Sequence, residues 1–101
     1  MIYEILKEGR ENAMTKKQLC EMFGITAETL RLEIQKERLD GALILSCSTP
    51  PGGYFRPSNV EELLQYERSQ KSRIGQIMKG LKPVRLAIER AKLKEQFAIW
   101  E

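Results

Sequence analysis

The chain has 101 residues, a formal net charge of +3 and 42% hydrophobic residues, which allows one compact domain, or a small domain plus one long helix. Its longest purely apolar run, residues 42–45, is too short to cross a membrane, and the first residues lack a basic segment followed by an apolar stretch. Two cysteines without CxxC spacing, and the lack of histidine, argue against a zinc site. We therefore expect a cytoplasmic protein with reduced thiols that binds neither membrane nor metal.

The positive charge is unevenly distributed along the chain. Residues 1–57 contain eight Lys/Arg and eight Asp/Glu, whereas residues 58–101 contain nine and six. All nine of these cations lie between Arg68 and Lys94, where Glu89 is the only acid. Because phosphate contacts supply much of the affinity of DNA-binding proteins, a basic tail behind a neutral first half complicates a simple DNA-binding interpretation.

The first half begins with two predicted helices. Apolar residues at positions 2, 5 and 6 have the spacing of one helical face, and Gly9 ends this short helix. The run 15–18 has the form of a capping box, which begins the second helix, and Gly24 ends it with the positive φ that glycine tolerates. The buried face of the second helix is predicted to hold Leu19, Met22 and Phe23.

A third helix begins after a very short turn. Thr26 is an N-cap by residue type, and the helix is predicted over residues 27–39, with Leu30 and Ile34 facing the core at the 3.6-residue period. The next position on this side is Glu37, so the packing of the last turn is an open question. Two helices joined so closely cross at a steep angle, which is the helix-turn-helix corner.

A two-stranded hairpin is predicted to follow. Residues 42–47 are rich in β-forming side chains, residues 48–53 have the Pro and Gly content of a turn, and residues 54–56 return as the second strand before Pro57. This hairpin is the wing of a winged helix-turn-helix. The predicted fold class is therefore mainly α with a small β-hairpin, and residues 1–57 form the winged helix-turn-helix domain.

Residues 58–101 form a predicted C-terminal helical extension, which begins at a capping box over residues 58–61. Its apolar residues then step by three and four, as in a heptad seam. The seam consists of Ile74, Ile77, Leu81, Val84 and Ile88, with Ala91 as its last step. Because Pro83 lacks an amide donor, a kink or a break is expected near Gly80 and Pro83. Two alternatives remain: the seam pairs with a second copy to form a homodimer, or the helix breaks and folds back.

Several short runs carry a resemblance to a known group of proteins, namely 15–20, 23–26, 30–31, 44–46 and the return strand Gly53-Tyr54-Phe55. They resemble small winged-helix proteins encoded by bacterial phages and prophages, which continue with an acidic helix start and a basic helix, here 61–63 and 73–90. The resemblance covers nearly the whole chain. It implies a DNA-binding protein in the cytoplasm of a bacterial host cell, although Glu37 replaces the apolar residue usual late in the third helix.

The candidate DNA-reading surface is the side of helix 27–39 that lies opposite Leu30 and Ile34. By helical geometry this side holds Glu28, Leu32, Gln35 and Lys36, with Thr29 and Arg31 at its edges. Gln35 suits adenine and Arg31 suits guanine, whereas Glu28 is unfavourable near phosphates unless it accepts a hydrogen bond from a cytosine amino group. The same side chains are also compatible with an ordinary solvated helix surface.

Phosphate contacts are expected from residues outside this helix. Lys16 and Lys17 lie in the first turn of the preceding helix, which commonly meets the DNA backbone, and Arg56 is the only cation of the wing. The nine cations of the tail would contact an acidic partner or would simply solvate the polar face of the helix.

The sequence contains no constellation that is typical of an enzyme. It has no histidine, no phosphate-binding glycine loop and no nucleophile beside a base, so we expect neither catalysis nor a cofactor. The leading interpretation is a double-stranded DNA-binding protein of phage or prophage type, a transcriptional regulator or an accessory factor in replication or recombination. The alternative is a protein–protein interaction module on a winged-helix fold, which the neutral charge of residues 1–57 and the presence of Glu28 and Leu32 favour.

Overall fold

The computed structural model describes the backbone of residues 1–100 and the side chains of residues 1–95. The elements are α1 (Ile2–Ile5), a short 3₁₀ helix (Arg10–Asn12), α2 (Lys16–Phe23), α3 (Ala27–Leu39), β1 (Leu45–Cys47), β2 (Gly53–Phe55) and α4 (Val60–Trp100). Strands β1 and β2 pair in the antiparallel sense. The fold is thus mainly helical with a small hairpin and a long C-terminal helix, as the sequence predicts.

The capping residues of α2 and α3 are those predicted. The Thr15 hydroxyl accepts the amide of Gln18 at 3.1 Å, and the Gln18 side chain accepts the amide of Thr15 at 2.9 Å, which completes the capping box. Gly24 ends α2 in the left-handed region with φ of 64°. Thr26 then caps α3 by accepting the amide of Thr29 at 3.2 Å. These adjacent caps bring the start of α3 close to α2.

The core lies among the first three helices and the residue that precedes β1. Its fully buried apolar side chains are Ile2, Leu6, Leu19, Leu30, Ile34 and Ile44. The predicted inward positions of α3 are therefore confirmed. In α2 the expectation for Met22 is wrong, because this side chain is 54% exposed. Leu19 and Phe23, four residues apart, form the face of α2 that packs on the core, and Met22 lies at its edge.

Glu37 occupies the last turn of α3 in a way that keeps this turn packed. Its carboxylate oxygens accept the amides of Ile2 and Tyr3 at 3.0 and 2.9 Å. Amides in the first turn of a helix have no partner within that helix, so the carboxylate satisfies two donors of α1. Burial raises the pKa of Glu37, but the hydrogen bonds from Tyr3 and Ile2 outweigh it, and the pKa lies below its ordinary value.

The hairpin is shorter than the sequence predicts at its first strand. Leu45 lies opposite Phe55, Ser46 opposite Tyr54 and Cys47 opposite Gly53. Residues 42–44 do not pair with the second strand. The amide of Ala42 donates to the carbonyl of Glu37 at 2.9 Å, so the chain at this point still belongs to the end of α3. The return strand also begins and ends one residue earlier than predicted.

Backbone hydrogen bonds attach the hairpin to the segment before α2. The amide and carbonyl of Met14 bond to the carbonyl and amide of Tyr54 at 2.9 and 2.8 Å. Gly53 has φ of 135°, and a Cβ atom at this position would collide with the Met14 carbonyl. Glycine is therefore required for the hairpin to approach the start of α2 so closely.

The chain divides into two compact units, Met1–Glu67 and Arg68–Glu101. The first unit includes the first turns of α4, whereas the sequence places the boundary after residue 57. Two contacts explain the difference: Glu62 accepts the amide of Arg10 at 2.9 Å, and the guanidinium of Arg38 lies 5.6 Å from the ring centroid of Tyr66.

The start of α4 also differs from the predicted capping box. Asn59, rather than Ser58, caps the helix, because the Asn59 side chain accepts the amide of Glu62 at 2.9 Å. Glu62 in turn accepts the amide and hydroxyl of Ser58 at 2.8 and 3.0 Å. The N-cap therefore lies one residue later than predicted, at Asn59, and Glu62 takes the place of Glu61 as the acidic residue of the cap.

Helix α4 continues without interruption through Gly80 and Pro83. The break considered from the sequence is not formed, and the alternative in which the chain folds back at this point is wrong. Proline removes one backbone hydrogen bond, while the turns on both sides keep their own bonds and carry the helix past it.

Candidate nucleic-acid interface

The outer side of α3 is exposed along its length. On the opposite side, Leu30 and Ile34 are buried in the core. All six side chains of this helix that are predicted to face DNA are exposed: Glu28, Thr29, Arg31, Leu32, Gln35 and Lys36. From residue 28 to residue 35 the helix rises about 10 Å, a length that suits a major groove about 12 Å wide.

The start of α3 shares a concave surface with α2 and β2. Lys16, Ala27, Glu28, Arg31 and Tyr54 line a depression of about 340 Å³, which we call the α3–hairpin surface. Lys16 and Tyr54 also line a second depression of about 250 Å³. This second depression extends along the hairpin to Ser46, Cys47, Pro51 and Gly53. Residues far apart in sequence therefore form a continuous surface from α3 to the hairpin.

The charges of the α3–hairpin surface are mixed. Lys16 and Arg31 supply two cations, and Glu28 supplies one anion beside them. A phosphate would be attracted to Lys16, and a planar guanidinium such as Arg31 can donate two parallel hydrogen bonds to guanine. Glu28 reduces this attraction unless it accepts a donor of its own.

Thr29 contributes to the cap of α3 as well as to its exposed edge. Its hydroxyl oxygen accepts a hydrogen bond from the Thr26 hydroxyl at 3.0 Å, and its amide donates to the same hydroxyl at 3.2 Å. Of the other predicted contact residues, Lys17, Leu32, Gln35 and Lys36 are exposed but do not line the concave surface.

Arg56 lies at the base of the hairpin and has partners that the sequence does not indicate. Its Nε atom donates to the carbonyl of Leu6 at 2.8 Å, and its guanidinium carbon lies 5.0 Å from the ring centroid of Tyr3. The backbone of Arg56 also bonds to Lys7 and Gly9, so this residue joins the base of the hairpin to the segment after α1. A half-buried arginine with these partners contributes to packing, and its contact with DNA stays a prediction.

Arg10 supplies a cation to the turn of the hairpin. Its Nη2 atom donates to Oγ1 of Thr49 at 2.7 Å, and its exposed side chain helps to line a depression of about 380 Å³ together with Cys47, Pro50 and Pro51. Sequence reasoning missed Arg10, because no local pattern connects residues that are 39 positions apart.

Sequence reasoning also missed that Tyr54, which is half-buried against the core, lines the α3–hairpin surface. The signal was present, since neighbouring residues in a strand point to opposite sides and Phe55 is buried.

Three further properties bear on the kinds of site that this surface could be. Within the part of the chain that the structure describes, no group of His, Cys, Asp and Glu is arranged to hold a metal ion. Among the same residues, no helix combines the length and the apolar character that crossing a membrane requires. Cys20 and Cys47 are free thiols and are both half-buried.

Comparisons with known proteins add no identity: the chain matches no family model, no curated protein and no solved structure.

Proposed function

We propose that the chain binds double-stranded DNA without catalysing a reaction and that α3 enters the major groove. The observation that supports this most is the α3–hairpin surface, where Lys16, Arg31 and Tyr54, from three different elements, line one depression beside an exposed helix face. A protein of this kind would act as a transcriptional regulator or as an accessory factor in replication or recombination, in a phage or prophage setting inside a bacterial cell.

Base reading is assigned to the exposed side of α3. Arg31 lies in the second turn and can donate to the O6 and N7 atoms of guanine, whereas Gln35, one turn later, can pair with adenine. Each good bidentate pair contributes about 1–3 kcal/mol of discrimination against the wrong base. Because Leu30 and Ile34 are held in the core, α3 presents these side chains from a rigid element.

Phosphate contacts are assigned to the ends of the surface. Lys16 and Lys17 begin α2, and Arg10 lies at the hairpin turn. About three phosphate contacts would give a slope of about −2.7 for the logarithm of the binding constant against the logarithm of the salt concentration. This slope is modest, as expected for a first unit in which residues 1–67 carry eight Lys/Arg and eleven Asp/Glu.

A salt series on duplex binding tests the proposal. The full chain is titrated into a labelled duplex between about 50 and 200 mM salt, and we expect the affinity to fall by about 40-fold over this range, as a slope of about −2.7 implies. Lys16→Ala should reduce the slope by about 0.9 and weaken binding to all sequences equally. Lys7→Ala removes the same charge from an exposed residue after α1 that does not line the α3–hairpin surface, and it serves as the matched control.

Two outcomes would contradict the proposed DNA-binding surface. If the full chain binds no duplex even at the lowest salt, or if Lys7→Ala and Lys16→Ala weaken binding alike, the assignment of the α3–hairpin surface is wrong.

A second candidate function is a protein-interaction module that uses the same helix. The observation that favours it is Leu32, which is 55% exposed on the outer side of α3, together with the excess of acids in residues 1–67. An exposed leucine fits a thymine methyl group or an apolar protein surface. Absence of duplex binding in the salt series would favour this second function over the first.

A further inference from the structure

The second unit carries an apolar stripe along α4 that lies open to solvent. Its large residues Ile74, Ile77, Leu81, Val84 and Ile88 are between 37% and 63% exposed. Burial of apolar surface contributes about 25 cal/mol of free energy per Å². Burying these five half-exposed aliphatic side chains against another helix would therefore stabilise the associated state. Their steps of three and four residues are those of a helix that pairs with another helix.

The heptad positions follow from these steps. Ile74, Leu81 and Ile88 occupy position a, and Ile77, Val84 and Ala91 occupy position d. The flanking e positions then hold Met78, Arg85 and Lys92, and the flanking g positions hold Arg73, Gly80, Ala87 and Lys94. Pro83 falls at position c, away from the seam, and so does not interrupt the apolar row.

The flanking charges select one arrangement of the two helices. In a parallel pair in register, each g residue faces the e residue five positions later in the other helix. The resulting pairs are Arg73 with Met78, Gly80 with Arg85 and Ala87 with Lys92. Each pair therefore places one cation opposite an uncharged side chain, and no like charges meet.

An antiparallel pair that keeps the seam fully overlapped brings like charges together. In that arrangement g residues face g residues, and Arg73 meets Lys94 of the other helix twice, once at each end. Like charges placed directly opposite one another are destabilising. We propose that α4 pairs, parallel and in register, with α4 of a second copy of this chain through residues 74–91. The proposal does not depend on DNA binding.

Two leucine variants of α4 provide a matched test of the seam. Leu81→Asp places a carboxylate at position a, whereas Leu86→Asp places the same change at position f, on the far side of the helix, at a leucine that is 54% exposed. We expect light scattering at about 100 μM to give twice the chain mass for the wild type and for Leu86→Asp, and the single-chain mass for Leu81→Asp. Circular dichroism should show that both variants keep their helical content.

Three results would overturn this part of the proposal. They are a single-chain mass for the wild type, a mass of three or more chains, and equal loss of self-association in both aspartate variants. A monomeric wild type that binds an added acidic amphipathic helix would assign the seam to a different partner.

Disulfide trapping tests the parallel register. Ile88→Cys at position a should form an intermolecular disulfide under mild oxidation, because a parallel pair places the two Cβ atoms side by side. An antiparallel pair would separate the two cysteines by about 16 Å along the helix axis. Glu89→Cys at the outward b position is the control, and the wild type reports the background from Cys20 and Cys47. Equal trapping at positions 88 and 89, or none at 88 in an associated protein, contradicts the register.

Discussion

Glu37 joins the first turn of α1 to the last turn of α3 through hydrogen bonds of 3.0 and 2.9 Å to two backbone amides. The side chain is only 12% exposed, and the amino group of Met1 lies 3.6 Å from its Oε1 atom. A carboxylate in such a place is stable because its charge meets donors that would otherwise have no partner. The residue is therefore part of the packing of the first unit.

Replacing Glu37 with glutamine should lower the free energy of unfolding by about 1–2 kcal/mol at pH 7. The pKa of Glu37 in the folded protein lies below its ordinary value of 4.5, so the carboxylate stabilises the fold above that value. This stabilisation is lost as the pH falls through the folded pKa. Urea denaturation should therefore show a difference between the two proteins that is smaller at pH 3 than at pH 7.

Glu4 provides the control for that experiment. Its carboxylate also lies 3.6 Å from the Met1 amino group, but the side chain is 81% exposed, and exposed ion pairs contribute little to stability. Glu4→Gln should leave the unfolding free energy almost unchanged at both pH values. A Glu37→Gln effect that is the same at pH 7 and pH 3 would show that the carboxylate charge is not what stabilises this contact.

At the scale of elements, the position of the hairpin depends on its attachment to the segment before α2. Tyr54 reaches the α3–hairpin surface because the backbone of Met14 pairs with it, and Gly53 permits the close approach. A shift of the hairpin would separate Tyr54 from Lys16. The geometry of the candidate interface therefore depends on the absence of a side chain at Gly53.

Gly53→Ala should destabilise the first unit by about 1–3 kcal/mol, because the added Cβ meets the Met14 carbonyl and φ is positive. Gly75→Ala is the control, since Gly75 lies inside α4 with nothing within 4 Å of the added atom. This second change should stabilise the helix by about 0.5–1 kcal/mol. Thermal melts of the two variants measure both effects, and equal destabilisation would contradict the close approach.

The elements differ in how far local sequence determines them. The caps at Thr15 and Thr26, the end of α2 at Gly24, and the buried side of α3 depend on neighbouring residues, and they were predictable. The contact of Arg10 with Thr49 and the packing role of Arg56 depend on residues 39 and 50 positions apart. Periodicity and capping patterns contain no information on such pairs, so neither contact was predicted from the sequence.

The long helix shows a different limit of sequence reasoning. Pro83 is a helix breaker by its local chemistry, yet α4 continues through it. The local cost is one hydrogen bond and a steric clash, and the formed turns on both sides outweigh it. Whether a proline breaks a helix is thus decided by the surrounding turns as much as by the proline itself.

At the scale of the whole molecule, charge and shape are divided between the two units. Residues 1–67 carry an excess of three acids, while residues 68–101 carry nine Lys/Arg against three Glu. The first unit contains the shaped surface with Arg31 and Lys16, and the second contains most of the positive charge. Specific contacts are therefore expected from the first unit and salt-sensitive, long-range attraction to DNA from the second.

Selection of bound duplexes from a random pool tests sequence-selective DNA binding most directly. The full chain should enrich a defined motif, and Arg31→Ala should lose the preference at one base pair of that motif while keeping the rest. The loss should amount to about 1–3 kcal/mol at that position, and Lys7→Ala should enrich the same motif as the wild type. A pool that remains random after repeated rounds, or a motif that Arg31→Ala leaves unchanged, would contradict the assignment of α3 as the reading helix.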